Sequence, residues 1–167
     1  MTPLRVLLAV PVVLLATALA ALCWPEARPA ATAGSPAAAD PAVEVLRDWD
    51  VRRAAAWASD DAGALRSLYT PGSRTGRADV ALLAAYADRG VRVDRLETQL
   101  LAVRVRVHEA DRLVLVVTDR LARVTVRHGD RVLAVPEDRP TTYRVELVRP
   151  GDTWVVEEAR PAPQPAR

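Results

Sequence analysis

Hydrophobic spacing in this chain changes period at Gly90, and that change decides what the chain can fold into. Before Gly90, apolar residues recur three and four positions apart, the spacing of one helix face. After it they recur at every second position, the spacing of a half-buried strand. The helical part divides into three. Pro41–Ala58 carries Val43, Leu46, Trp49, Arg53, Ala56 and Trp57 on one stripe, with Asp40 as N-cap and proline in the first turn. Ser59-Asp60-Asp61 breaks it, and a short helix over Asp60–Tyr69 follows, presenting Leu65, Leu68 and Tyr69. Pro71-Gly72-Ser73 breaks the chain again. A third helix over Gly76–Arg89 places Val80, Leu83, Ala84 and Ala87 on one face and ends at Gly90 as a C-cap.

Alternation begins at Val91. In Leu101–His108, Val103, Val105 and Val107 alternate with Arg104, Arg106 and His108. Glu109-Ala110-Asp111 makes a turn into a long strand, Arg112–Val126. Its apolar set changes phase beyond Asp119, which predicts a bulge or bend near Thr118-Asp119-Arg120. His128-Gly129-Asp130 turns the chain into Arg131–Val135. Thr141–Val148 then points Tyr143, Val145 and Leu147 one way and Arg144 and Glu146 the other. Thr153–Ala159 closes the set, with Trp154 and Val156 on one face. Helices first and strands second predict an α+β fold: three helices packed on a curved antiparallel sheet of four to five strands, cone-like in shape.

The N-terminal segment sets the expected location. Val6–Trp24 is an apolar run of nineteen residues behind a positive flank, Arg5 and the amino terminus. That is close to the ~20 residues needed to cross a bilayer. Trp24 suits the interface, and the flank predicts an N-in orientation. Residues 1–24 therefore read as a transmembrane anchor, with a cleaved signal peptide or a lipoprotein signal at Cys23 as the alternatives. Each of the three exports the rest. Residues 25–41, rich in Ala and Pro, read as a tether, residues 42–160 as one domain, and residues 161–167 as a disordered tail. Cys23 is the only cysteine, so the domain holds no disulfide and no thiolate metal site. Lys, Ile, Asn and Phe are all absent, as in a very GC-rich genome, so the pI of 9.2 says little about partners. The 23 arginines are interspersed with 21 acidic residues rather than gathered, which argues against a nucleic-acid binder.

Trp57-Ala58-x-x-Asp61-x-x-x-Leu65-x-x-Leu68-Tyr69, together with the order of elements, resembles the nuclear-transport-factor-2-like (SnoaL-like, cystatin-like) superfamily over about Val43–Arg160. The layout of apolar segment, tether and domain is similar to membrane-tethered actinobacterial members, including proteins associated with mammalian-cell-entry-type transporters. The resemblance implies a cone whose interior holds Asp, His or Tyr in the enzymes of the superfamily. The superfold also hosts ligand binders and scaffolds, so it implies no single activity.

Against that expectation, the candidate pocket residues are Trp57, Tyr69, Tyr86, Glu97, Gln99, Asp119 and Trp154. Asp119 interrupts an apolar strand, where an isolated charge is costly; it either pairs with an arginine at a bulge or points into the cone. Glu97 and Gln99 point into the mouth of the cone if the strand is unbroken, and to solvent if a bulge lies near Thr98. The aromatic residues line a pocket or supply core packing in place of phenylalanine. His108 and His128 fall at strand ends beside turns, with no metal-ligand spacing around them. Arg104, Arg106 and Arg144 mark a solvated or partner-facing sheet surface. No phosphate loop, nucleophile elbow or metal motif is present in the sequence, so no cofactor and no metal are expected. The sequence thus points to a non-catalytic, membrane-tethered extracytoplasmic domain, accessory to an envelope assembly or transporter. It would act through an envelope protein partner or as a homodimer through the sheet, without nucleic acid. The alternative is a small apolar-ligand binder or isomerase/dehydratase-like enzyme using the cone.

Overall fold

The computed structural model describes residues 40–162. The expected anchor or signal segment, all but the end of the tether and the last part of the tail lie outside the described residues. Among those described, no helix is long and apolar enough to cross a membrane.

Three helices come first. Helix α1 spans Pro41–Ala58; the Asp40 carboxylate accepts from the Ala42 amide at 2.9 Å and so satisfies one of the free donors of the first turn. Asp60, with φ of +57°, turns the chain out of α1. Helix α2 spans Ala62–Ser67, and its N-cap Asp61 accepts from Ala64 at 2.8 Å. It is shorter than the expected Asp60–Tyr69 because Leu68, Tyr69 and Thr70 leave the helix to pair with the last strand. The Val156 amide donates to Leu68 at 2.9 Å, and the Thr70 amide donates to Val156 at 3.1 Å. Helix α3 spans Arg74–Ala87, starting one turn-residue pair earlier than expected because Ser73 caps it, accepting from Gly76 at 3.0 Å.

The buried face of α3 differs from the expected one. Gly76, Asp79, Leu83 and Tyr86 are buried, whereas Val80 is half-buried and Ala84 and Ala87 are exposed. The helix is rotated so that Asp79 meets Arg53 of α1. Once that buried guanidinium is present its carboxylate partner must face it, and the small side chains of Ala84 and Ala87 lose little by facing out. Gly76 is required by a close approach: a Cβ there would sit 2.6 Å from Cβ and Cγ of Tyr69.

Five antiparallel strands follow, β1 Val91–His108, β2 Arg112–His128, β3 Arg131–Val135, β4 Thr141–Val148 and β5 Val155–Pro161. The sheet order is β1-β2-β4-β5, with β3 beside the second half of β2. One face carries Val93, Leu113, Leu115, Val117, Val124, Val126, Val145, Leu147 and Val156 against the helices. Trp154, expected within the last strand, lies just before β5.

The phase change in β2 has a definite origin. Ala122 is an extra residue between Leu121, paired with Thr98, and Arg123, paired with Glu97. It moves the inward set from Leu113, Leu115, Val117 and Asp119 to Val124 and Val126. The irregularity expected at Thr118–Arg120 instead falls on the facing strand: Leu101 is unpaired between Leu100, opposite Asp119, and Ala102, opposite Thr118. Asp94 and Arg106 are extra residues of the same kind in β1. Each bends its strand and raises the local twist, so the long β1–β2 ribbon curls around the helices.

The tight packing of α3 on Tyr69 yields a prediction. Gly76→Ala will destabilise the domain by roughly 2–3 kcal/mol, as overpacking against side-chain carbons near backbone does, read as a lowered midpoint in urea unfolding.

Candidate functional site

The interior of the helix–sheet sandwich is organised by Asp79. Arg53 Nε donates to Oδ2 and Nη2 to Oδ1, both at 2.7 Å, a bidentate fork. Trp57 Nε1 donates to Oδ1 at 3.2 Å, and the Tyr69 hydroxyl donates to Oδ2 at 2.7 Å. Four donor contacts from α1 and from the segment after α2 therefore converge on one carboxylate of α3. The surrounding rings pack edge to face, Trp57 on Tyr86 at 5.7 Å and Trp49 on Tyr69 at 5.6 Å. Trp49 Nε1 donates to the Leu68 carbonyl at 2.9 Å. Burial disfavours the Arg53 cation, but the Asp79 hydrogen bonds and charge outweigh it and hold the guanidinium above its ordinary pKa. Burial, reinforced by the neighbouring Asp79 carboxylate, pushes the Tyr69 hydroxyl well up, against the pull of Arg53.

Beside this satisfied cluster lies a second group, half-buried and open to solvent. Asp50 is one turn before Arg53 on α1 and accepts from the Thr98 hydroxyl of β1 at 3.3 Å. Asp119 continues the inward row of β2, and Tyr143 occupies the inward row of β4. Burial raises the Asp50 carboxyl, while Arg53 and Thr98 oppose the rise. Asp119 is pushed up to about 6, first by burial, then by the negative charge of Asp50, with Arg53 opposing and Asp138 adding to it. Arg53 cannot neutralise both acids because Asp79 already holds its fork. A carboxyl of this kind can accept or release a proton near neutral pH.

The other sequence candidates fall elsewhere. Glu97 and Gln99 lie on the solvent side of β1, because the extra residue Leu101 resets the alternation that would have carried them inward with Val103 and Val105. Glu97 pairs with Arg95 and, at 3.5 Å, with Arg123, and Gln99 accepts from Arg120 at 2.8 Å. Trp154 is half-buried and packs against the margin of the core, with the Arg149 guanidinium 5.3 Å above its ring. Its carbonyl accepts from Arg52 at 3.1 Å. Trp57, Tyr69 and Tyr86 are interior residues, at 4%, 7% and 8% exposure. His108 and His128 are exposed at strand ends. Arg104, Arg106 and Arg144 are exposed on the face away from the helices. Among the described residues, no three His, Cys, Asp or Glu side chains are grouped to hold a metal ion.

Two surface depressions, about 630 and about 750 Å³, are present; the first lies along α3 and the second by the start of α1 and Trp154. Neither is lined by a residue of β1, β2 or β4. Asp79 was absent from the sequence candidates although its spacing from Gly76, Leu83 and Tyr86 is helical. An acid at such a position, with an arginine on the buried stripe of another helix, was the available signal.

No protein-family model matches the chain, and no curated protein matches it. Solved structures do. The intermembrane space region of the chloroplast protein ARC6 is similar with a TM-score of 0.52 at 17% identity, over 74% of this chain and 95% of that one. A variant of Rv3472, a protein of unknown function from Mycobacterium tuberculosis, gives 0.50 at 15% identity, over 72% and 70%. An NTF2-like protein of unknown function in nutrient uptake from Rhodospirillum rubrum gives 0.43 at 16%, over 68% and 93%. The likeness to the ARC6 region is one of fold alone: helices first, then a curved antiparallel sheet, an α+β arrangement.

Two predictions come from these clusters. Asp79→Ala leaves Arg53 buried without its partner and will cost about 3–5 kcal/mol. Arg53→Met combined with Asp79→Leu will cost less than that single change, as chemical denaturation will show. Asp119 has a folded-state pKa above its unfolded value, so its contribution is fully present below about pH 4 and is lost as pH rises through about 6. Asp119→Asn will therefore raise stability by roughly 1–2 kcal/mol at pH 7.5, discounted for partial exposure. That gain will vanish below about pH 4 in paired melting curves.

Proposed function

We propose that this chain is a non-catalytic, membrane-tethered extracytoplasmic domain that acts by protein–protein interaction, accessory to an envelope assembly or transporter. The observation that carries the reading is the occupied interior. Trp57 and Tyr69 fill the space between helices and sheet, and both spend their polar atoms on Asp79, whose oxygens Arg53 also claims. Among the described residues no buried side-chain nitrogen or oxygen lacks a partner. Catalysis needs groups left free and aimed at a substrate, and the aromatic residues at the heart of this fold are committed to structure. The accessible surface of the sheet is the natural working face. The apolar run Val6–Trp24 and the tether after it support export and attachment.

A second reading, a small-ligand binder or isomerase-like enzyme, is favoured by Asp119. Its carboxyl lies on the inward face with a pKa near 6, where a proton-transfer group would be useful.

Site-specific photocrosslinking in native cells separates the two. A crosslinker replacing Arg104, on the outer sheet face, is expected to capture a defined membrane-fraction protein, whereas one replacing the exposed Val51 of α1 captures none. If the Arg104 position captures nothing while the protein remains in the membrane fraction, the interaction reading fails.

A further inference from the structure

The outer face of the sheet carries a basic row that the folded domain neutralises only in part. Register places Arg104 of β1 opposite Val116 of β2, Val116 opposite Arg144 of β4, and Arg144 opposite Arg160 of β5. With strands about 4.8 Å apart, the row crosses the sheet over roughly 14 Å. Arg106 and Arg112 extend it at the end nearest the β1–β2 turn, and all five arginines are exposed. Among the described residues the one carboxylate in ion-pair contact with them is Glu146, held between Arg112 at 3.1 Å and Arg144 at 3.2 Å. Arg104, Arg106 and Arg160 have no carboxylate within ion-pair distance among the described residues. Toward the other end of the sheet Arg95 and Arg123 are matched by Glu97, Arg120 by Glu137 and Arg127 by Asp94, while Arg92 and Arg131 stand singly there rather than in a row across the strands.

Resting on the interaction reading above, we infer that this row is a docking surface for an acidic polypeptide segment of the partner, laid across β1, β2, β4 and β5. Charge selects the occupant. A second copy of this chain would bring the same row against itself, since a two-fold interface is built from one patch meeting its own image. Like charges placed opposite one another are repulsive. Guanidinium groups paired bidentately with carboxylates, with Val116 and the arginine stems offering apolar contact between them, fit a segment in which acidic and apolar residues alternate.

The test uses the full-length chain in neutral detergent and a fluorescent peptide of about eight residues alternating glutamate and valine. Anisotropy is expected to show binding at about 50 mM salt that weakens at least about tenfold by about 300 mM. Arg104→Glu with Arg144→Glu is expected to weaken it at least about tenfold, while Arg123→Glu, on the other half of the sheet, leaves it unchanged. Melting curves establish that each variant folds, and Arg104→Gln with Arg160→Gln replaces the double reversal if it does not. The inference is overturned if the peptide fails to bind at about 1 mM or binds the variants equally. It is equally overturned if phosphatidylglycerol vesicles bind through these arginines while the peptide does not, or if light scattering shows a dimer that the reversal dissolves. Failure here is distinct from failure of the broader reading. A protein captured at position 104 whose association survives the reversal leaves an interaction domain standing and removes only the acidic partner.

Discussion

The bidentate pairing of Arg53 with Asp79 is the contact around which the rest of the domain is arranged. It joins α1 to α3 directly, and through the same carboxylate it reaches Trp57 on α1 and Tyr69 after α2. A buried ion pair of this kind adds little net stability compared with apolar packing, because desolvating the two charges offsets most of their attraction. Its effect is on geometry. The fork accepts one orientation of α3, the one that turns Asp79 inward and leaves Val80 and Ala84 toward the surface. That orientation brings the backbone of α3 against the Tyr69 ring, where only glycine fits at position 76. Tyr69 is in turn held by the bridge of its own segment to Val156, so the pair indirectly ties the helices to the far edge of the sheet.

The same pair shapes the electrostatics next door. With its guanidinium committed to Asp79, Arg53 offers Asp50 and Asp119 only a distant positive charge. The two acids are left half-buried and mutually repelling, and Asp119 is held part-protonated near neutral pH. The interior therefore contains one polar cluster that is fully satisfied, and beside it two half-buried acids that face solvent in part. The satisfied one commits Trp57 and Tyr69 to structure, and that commitment is the support for proposing the outer sheet face as the working surface.

The two faces of the sheet are built by one device. Extra residues at Asp94, Leu101 and Arg106 in β1, and at Ala122 in β2, bend the ribbon around the helices and switch which side each following residue occupies. The switch at Leu101 sends Glu97 and Gln99 outward, and the one at Ala122 restores Val124 and Val126 to the core. Curvature and the assignment of charges to the outside thus share a cause.

Much of this was legible in the order of residues alone. Period, the Asp40 cap and the breaks at Ser59-Asp60-Asp61 and Pro71-Gly72-Ser73 determined three helices and their approximate limits, because such signals act locally and need no distant partner. The cap at Ser73 then set the start of α3 two residues before the expected one. The alternation after Gly90 determined that β1, β2 and β4 would each bury one face, since a pleated strand puts successive side chains on opposite sides wherever it is placed. The true inward face of α3, the position of each bulge and the fate of Glu97, Gln99 and Asp119 were decided only in three dimensions. Each depends on a residue distant in sequence, Asp79 on Arg53, Leu101 on the pairing of Asp119, Ala122 on that of Thr98. Local periodicity carries no record of such partners, and for a buried charge or an unpaired strand residue the partner determines where the side chain goes.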